Sequence, residues 1–290
     1  MITFSTGWSE DYDGPGRRLV VYLKGCNFRC RWCANPEGLR SEPEMLFYPE
    51  RTKHAAAACP YGAVPGRQLR RETCKQCRDT ACVSVANDPA FELAGKPLTV
   101  GALVDRAVAA RPLFGRDGGI TFSGGEPTLQ ADEVLHAIDE LKRRRFHTAV
   151  ETNASTDSFP RFAGKADLII ADVKCLDPDL HRKWIGADNG SVLKNLRNAA
   201  GSSPCLLVRT TVVTGVNDSG EEMDRLTAFL VELAGRRQTL RAQVLRMHHL
   251  GAAKYAALNT AYPVKDVPCP SPETVSRLEK KLSAAGVKLG

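Results

Sequence analysis

Seven of the ten cysteines in this 290-residue chain fall between positions 26 and 82, and they fall there in two groups. Cys26, Cys30 and Cys33 form a C-x3-C-x2-C run on one short stretch. Soft thiolates so closely spaced suit iron–sulfur or zinc binding. Their number is informative, because a four-iron cluster takes four ligands and a loop of three leaves one iron open to another molecule. A structural zinc loop is the alternative, but it wants a fourth cysteine or histidine close by. None follows Cys33 until His54. The second group is Cys59, then Cys74, Cys77 and Cys82, a set of four that zinc also accepts. Cys175, Cys205 and Cys269 are isolated and read as small apolar side chains packed inside.

Other polar residues stand where apolar runs stop. Ser123-Gly124-Gly125-Glu126-Pro127 follows one such run, and its paired glycines let backbone approach a ligand. Glu151-Thr152-Asn153 and Asp172-Val173-Lys174 finish two more. Thr152 and Asn153 also suit helix caps. Glu151 and Asp172 are harder to explain so, because a carboxylate ending a buried strand needs a partner. Arg209 sits inside a further apolar run and reads as a candidate buried cation.

These residues need strands to position them. Buried strands are expected at Leu19–Leu23, Ile120–Phe122, His147–Val150, Leu168–Val173, Leu206–Val213 and Gln243–Leu245. Helical spacing is expected over Leu98–Leu113, Val134–Leu141, Glu221–Ala234 and Pro272–Ala285. Such alternation predicts an α/β fold with a parallel sheet, and about six units favour a partial (β/α)6 TIM-like barrel over the full eight. The Cys26 loop, the glycine loop and the carboxylates then share the C-terminal rim, where α/β folds bind ligands. Residues 41–96 break the alternation and read as a small cysteine-rich insertion, leaving 1–40 and 97–290 as the core.

Composition narrows the partners. The chain is 43% hydrophobic and 25% charged, an ordinary globular balance. No apolar run approaches a membrane span, and the N-terminus lacks a secretion signal, so a cytoplasmic protein is expected. Close-spaced thiols in a reducing compartment suggest metal rather than disulfides. The net charge of +7 raises the question of a nucleic-acid partner. The densest basic run, Lys142-Arg143-Arg144-Arg145, follows an amphipathic helix pattern, complements the helix dipole and lacks interleaved aromatics, so none is expected.

The cysteine run after the first strand, with Gly124-Gly125-Glu126 after the second, resembles the radical S-adenosylmethionine (SAM) superfamily. That resemblance implies a [4Fe-4S] cluster on Cys26, Cys30 and Cys33 whose open iron binds SAM, with a 5′-deoxyadenosyl radical released on reduction. It also implies that Gly124, Gly125 and Glu126 bind the SAM amine. Glu151, Asp172 and Lys174 are implied as contacts to its ribose and carboxylate, and Arg209 as a contact to the SAM carboxylate or to a substrate acid group. Trp32 is similar in place to an aromatic residue set against the adenine.

Further segments resemble the activating enzymes of glycyl radical enzymes, the pyruvate formate-lyase activase group. They are Asp13-Gly14-Pro15-Gly16-Arg17, Trp32-Cys33-Ala34-Asn35-Pro36-Glu37, Gly118–Phe122, and Met247-His248-His249-Leu250-Gly251 with Lys254-Tyr255. The resemblance implies hydrogen abstraction from a glycine of a partner glycyl radical enzyme, flavodoxin or ferredoxin as reductant, anaerobic operation, a monomer, and His248 near SAM. A radical SAM enzyme acting on a small molecule or ribosomal peptide is the alternative. Many members carry a ferredoxin-like insert with two four-cysteine runs, in which the fourth cysteine of each run ligates the other run's cluster. Here Thr52–Ala58 holds no cysteine, and Ala86 stands where the second run's fourth would be. Cys59, Cys74, Cys77 and Cys82 remain, the ligand set of one auxiliary [4Fe-4S] cluster, with a four-cysteine zinc site as the alternative.

Overall fold

Apolar runs too short for helices become the central strands of one sheet, each strand five to seven residues long. The computed structural model describes residues 1–10, 12–51, 59–77, 80–84, 87–236 and 239–290. Strand β1 (Ile2–Glu10) pairs antiparallel with β2 (Arg17–Leu23). A two-stranded sheet, β3 (Glu44–Phe47) with β4 (Phe91–Ala94), lies between β2 and the next central strand in the chain. Strand β5 is Lys96–Pro97, and β6 to β10 are Gly119–Gly124, His147–Thr152, Leu168–Asp172, Leu206–Val212 and Arg241–Arg246. The large sheet has the order β10-β9-β8-β7-β6-β2-β1-β5. Strands β2 and β6 to β10 run parallel, and these are the six strands read from the sequence. The sheet is open at both ends, as a partial barrel requires.

Crossover helices cover the outer face. In the inserted segment α1 is Arg71–Lys75 and α2 is Ala81–Ser84. Then come α3 (Val100–Ala109), α4 (Ala131–Arg143), α5 (Pro160–Ala163), α6 (Pro178–Ile185), α7 (Gly190–Ser202), α8 (Gly220–Arg236), α9 (Ala252–Ala257) and α10 (Pro272–Ala284). The pattern in α4 shows why they pack: Val134, Ala137, Ile138 and Leu141 are buried at helical spacing, while acids open it and bases close it. Helix α10 starts on a Ser271 cap that accepts from the Thr274 amide at 3.2 Å, with Pro272 next. The Leu98–Leu113 expectation resolves into α3 and a separate 3-10 turn at Arg111–Phe114, because Pro112 removes a helical donor.

The β1 strand was not anticipated from sequence. Its residues alternate between buried and exposed only over part of its length, so the period-two signal is weak there. In β3 the pleat divides two small cores. Met45 and Phe47 join Ala63, Val64, Leu69, Cys82, Ala90 and Phe91, while Leu46 joins Phe4, Tyr48, Ala94, Ala257 and Leu258. The second cluster fastens the inserted segment to β1 and α9. Residues Thr52–Ala58 and Ala86, where lost cysteines are inferred, lie outside the described residues.

Candidate cofactor sites

The chain leaving β2 makes a loop pinned on two sides. Gly25 donates to the Gly38 carbonyl at 2.8 Å and Cys26 to that of Leu39 at 3.1 Å, closing the loop on itself. Arg29 and Arg31 donate to the carbonyls of Ile185 and Trp184 at 2.8 and 3.0 Å, fixing it to the end of α6. Three cysteines are thereby presented at the C-terminal rim. They border a cavity of about 630 Å³, together with Trp32, Gly124, Gly125, Glu151, Asp172, Lys174 and His248.

Glycine is needed at two of these positions for packing as well as access. A Cβ on Gly125 would lie 2.1 Å from the Gly25 carbonyl oxygen and 2.6 Å from that of Gly38. Gly124 has φ +108°, a conformation side chains disfavour, and its Cβ would meet the Leu23 amide nitrogen at 2.4 Å. The glycine loop is therefore laid directly against the cysteine loop.

Glu126 is fully buried beneath these loops and does not line the cavity. It accepts from the Thr128 amide (3.0 Å) and hydroxyl (2.5 Å), the Thr152 hydroxyl (2.7 Å) and the Asn153 amide (2.7 Å). Burial pushes its carboxyl above the usual range, and the bonds from Thr128, Asn153 and Thr152 oppose that. Its four donors make it a clamp between the loops after β6 and β7.

Arg209 is likewise drawn away from the cavity wall. It is 5% exposed, donates to Gln243 Oε1 at 2.9 Å and to the Tyr12 carbonyl, and forms a close ion pair with Glu151. Its charge is satisfied inside the barrel, so it acts on the cavity through Glu151. Glu151 also accepts from Ser123 Oγ at 2.7 Å. Burial pushes Glu151 up to about 7, with Arg209 pulling the other way.

At the end of β8 the Lys174 ammonium lies 2.6 Å from Asp172 Oδ2. Burial alone would lower the lysine's pKa, but Asp172 raises it above its ordinary value, so it is a fixed cation beside the thiols. His248 lies in the loop after β10 and accepts from the Leu250 amide at 3.3 Å. That loop presses on the cysteine loop at Gly251, where a Cβ would lie 3.1 Å from the Cys33 carbonyl oxygen. Lys254 in α9 completes the attachment, 2.6 Å from Glu37 and 2.8 Å from Asn35 Oδ1.

Burial pushes Cys26 and Cys30 up to about 12 and raises Cys33 as well. Binding iron as thiolates must therefore displace the protons of these thiols. Three thiols, a fixed ammonium–carboxylate pair and exposed glycine backbone suit a three-cysteine iron–sulfur cluster with an amino-acid ligand beside it. All ten cysteines are free, so no disulfide competes for them.

The inserted segment builds a second cavity, of about 540 Å³, lined by all four of Cys59, Cys74, Cys77 and Cys82. Cys74 and Cys77 sit on one turn, where the Cys77 amide donates to the Cys74 carbonyl at 3.1 Å. Burial raises Cys74, and it pushes Cys82 up to about 11. Among the described residues no three His, Cys, Asp or Glu side chains converge on a single metal ion. Cys175 stays out of both cavities; its thiol is buried and donates to Glu222 Oε2 at 3.1 Å.

Several wall residues had no part in the sequence-derived site. Tyr12 and Asp13, from the β1–β2 turn, line the first cavity, and so does Arg246 at the end of β10. Arg246 carries the same signal as Glu151, a charge finishing an apolar strand. Tyr12 is placed by Arg209, a contact between residues nearly two hundred apart that spacing does not reveal.

The Radical SAM superfamily model matches residues 20–227. The chain is 30% identical to the indoleacetate decarboxylase activating enzyme of Tractidigestivibacter scatoligenes, over 96% of this chain and 92% of that protein. It is 34% identical to the isethionate sulfite-lyase activating enzyme of Nitratidesulfovibrio vulgaris, over 96% and 94%. Among solved structures, a domain of pyruvate-formate lyase-activating enzyme from Bacteroides vulgatus superposes with a TM-score of 0.50 at 23% identity, covering 60% of this chain and 98% of that one. The chain belongs to the radical SAM superfamily and, within it, to the activating enzymes that these relatives represent.

Proposed function

We propose that this protein activates a glycyl radical enzyme by abstracting the α-hydrogen of one glycine in that partner. The observation that carries the reading is a single cavity bordered by three thiols, glycine backbone, Glu151, the Asp172–Lys174 pair and His248, in a chain aligned almost end to end with activating enzymes. When bound there, a three-cysteine [4Fe-4S] cluster supplies the electron that cleaves SAM to the hydrogen-abstracting radical. Cys26, Cys30 and Cys33 hold that cluster. Gly124 and Gly125 leave room for the SAM amine, Lys174 faces its carboxylate, and Glu151 and Asp172 accept from the ribose. Trp32 stands beside the adenine and His248 closes the far wall. Glu126 and Arg209 position the loop and Glu151.

Residues 41–96 form the inserted module, and the cores at 1–40 and 97–290 form the catalytic body. Its four-cysteine cavity holds one auxiliary [4Fe-4S] cluster, closed to substrate because every iron has a protein ligand. A flavodoxin or ferredoxin supplies electrons, and the protein works as a monomer in an anaerobic cytoplasm; ten unpaired cysteines support a reducing compartment. Among the described residues no helix is long and apolar enough to cross a membrane.

Mixing the reconstituted protein anaerobically with a candidate glycyl radical enzyme, SAM and reductant tests the reading. The expected product is a glycine-centred EPR doublet on the partner with one 5′-deoxyadenosine per radical. SAM cleavage without a doublet, across decarboxylase and lyase partners, would instead favour a small-molecule or ribosomal-peptide substrate.

A further inference from the structure

Asn153 follows β7 directly, is buried, and borders the first cavity beside Cys26. It starts no helix, since the next one, α5, opens at Pro160. Its backbone amide donates to Glu126 Oε2 at 2.7 Å, and the chain then turns at Ala154, with φ +56°. Its side chain closes a ring of hydrogen bonds onto the cysteine loop. Asn153 Oδ1 accepts from the Ser155 amide at 3.0 Å and hydroxyl at 2.7 Å. Ser155 Oγ accepts from Asn27 Nδ2 at 2.7 Å, and Asn27 Oδ1 accepts from Asn153 Nδ2 at 2.9 Å. The Ser155 backbone N–H can only donate, so the atom facing it is the Asn153 oxygen and the amide has one orientation. An amide nitrogen carries two hydrogens, and the ring uses one of them. Among the described residues, the acceptor left for the other is Cys26 Sγ, 3.9 Å from Nδ2. The same sulfur accepts from the Phe28 amide at 3.4 Å. Two N–H groups thus converge on one sulfur of the three-cysteine loop.

We infer that Asn153 donates its second side-chain N–H to the Cys26 sulfur and so raises the reduction potential of the first cluster. This deepens the reading of the first cavity as a three-cysteine iron–sulfur site and rests on it. Reduction adds negative charge that the ligand sulfurs share, so an N–H aimed at one of them stabilises the reduced form more than the oxidised form. The electron comes from the external one-electron donor already proposed. The ring holds both ends of the amide, so the donor is oriented before the electron arrives. The length of the contact marks a weak bond, and the effect expected is correspondingly modest. Asn153 acts through Cys26 and is a positioning residue.

The test is potentiometric EPR on the reconstituted full-length chain without SAM, comparing wild type with N153A and N27A and counting iron in each. Both variants open the ring, but only N153A removes the donor. At a fixed potential near the wild-type midpoint, the oxidised-to-reduced ratio of the SAM-responsive cluster should rise about threefold in N153A, which is about 28 mV at 59 mV per tenfold for a one-electron couple. N27A, in which Ser155 still holds Asn153, should keep the wild-type ratio, and the auxiliary cluster should move in neither. In wild type carrying asparagine labelled with 15N at the side-chain amide, pulsed EPR should show a nitrogen weakly coupled to that cluster. The coupling should persist in N27A and vanish in N153A. Should N153A fail to hold iron, the wild-type and N27A spectra decide alone. An unshifted potential in N153A, an equal shift in N27A, or no asparagine coupling in wild type overturns the inference and leaves the reading of the site intact. A wild-type protein with no SAM-responsive iron–sulfur signal overturns both.

Discussion

The two cysteine cavities are built by opposite means. The first has three thiols on a loop held by strand ends and helix α6, with a fixed cation and two carboxylates around it. The second has four thiols in a segment whose own apolar core is a handful of residues on two short strands and the stretches between them. The large sheet can hold an incompletely ligated centre rigidly because its rim is already organised by Glu126 and Arg209. The small segment cannot bury enough surface to stand alone, so a fourth ligand, which both staples it and closes the centre, is its natural complement. Ligand count and supporting framework vary together, and that pairing separates a reactive site from a closed one.

Removing one ligand from each cavity breaks the comparison most sharply. Cys30→Ala should abolish 5′-deoxyadenosine formation, a loss of about a thousandfold or more, because the open iron goes with the cluster. Cys77→Ala should lower iron by a similar amount, about four per chain, yet leave SAM's perturbation of the first cluster in place. Equal loss of SAM binding in both variants would show that the cavities are not distinct.

Next come the supports of the rim. Glu126→Gln swaps an acceptor pair that takes four bonds for an amide with one acceptor, leaving buried donors on Thr152, Thr128 or Asn153 unmet. It should cost about 2–3 kcal/mol in thermal or denaturant unfolding and loosen the first cluster more than the second. A neutral Glu126→Gln would mean that the clamp is idle.

The smallest effect expected is on pH. Glu151 titrates at about 7 in the free protein because burial outweighs Arg209. Below that pH Glu151 is neutral; above it, its carboxylate is the stronger acceptor for the ribose hydroxyl proposed to bind there. SAM affinity should therefore rise by about tenfold between about pH 6 and about pH 8, and Glu151→Gln should flatten that rise. A wild-type profile already flat in equilibrium dialysis would remove Glu151 from the SAM wall.

The parallel strands were legible because each carries a short apolar run that ends on polar residues, a pattern local in sequence. For the same reason Glu151, Asp172 and Lys174 could be placed on one rim from spacing alone. Glu126 and Arg209 sat beside those signals and went elsewhere, since which way a side chain turns depends on partners far along the chain, Thr152 and Asn153 for one and Gln243 for the other. Tyr12 and Asp13 were missed for a related reason. They belong to a turn, and tertiary contacts, Arg209 to the Tyr12 carbonyl and Thr121 to that of Asp13, hold them at the cavity. That Cys59, Cys74, Cys77 and Cys82 line one cavity was anticipated only through the resembled group's cysteine pattern, because Cys59 lies well apart from the other three in sequence.

The most direct test of the account is the EPR spectrum of the dithionite-reduced protein before and after SAM is added. One cluster signal should change its g-values on SAM binding, disappear in the Cys30→Ala variant and survive in Cys77→Ala, while the other stays unmoved. If SAM alters neither signal in a protein that carries both clusters, the first centre has no open iron, and the proposed chemistry is contradicted.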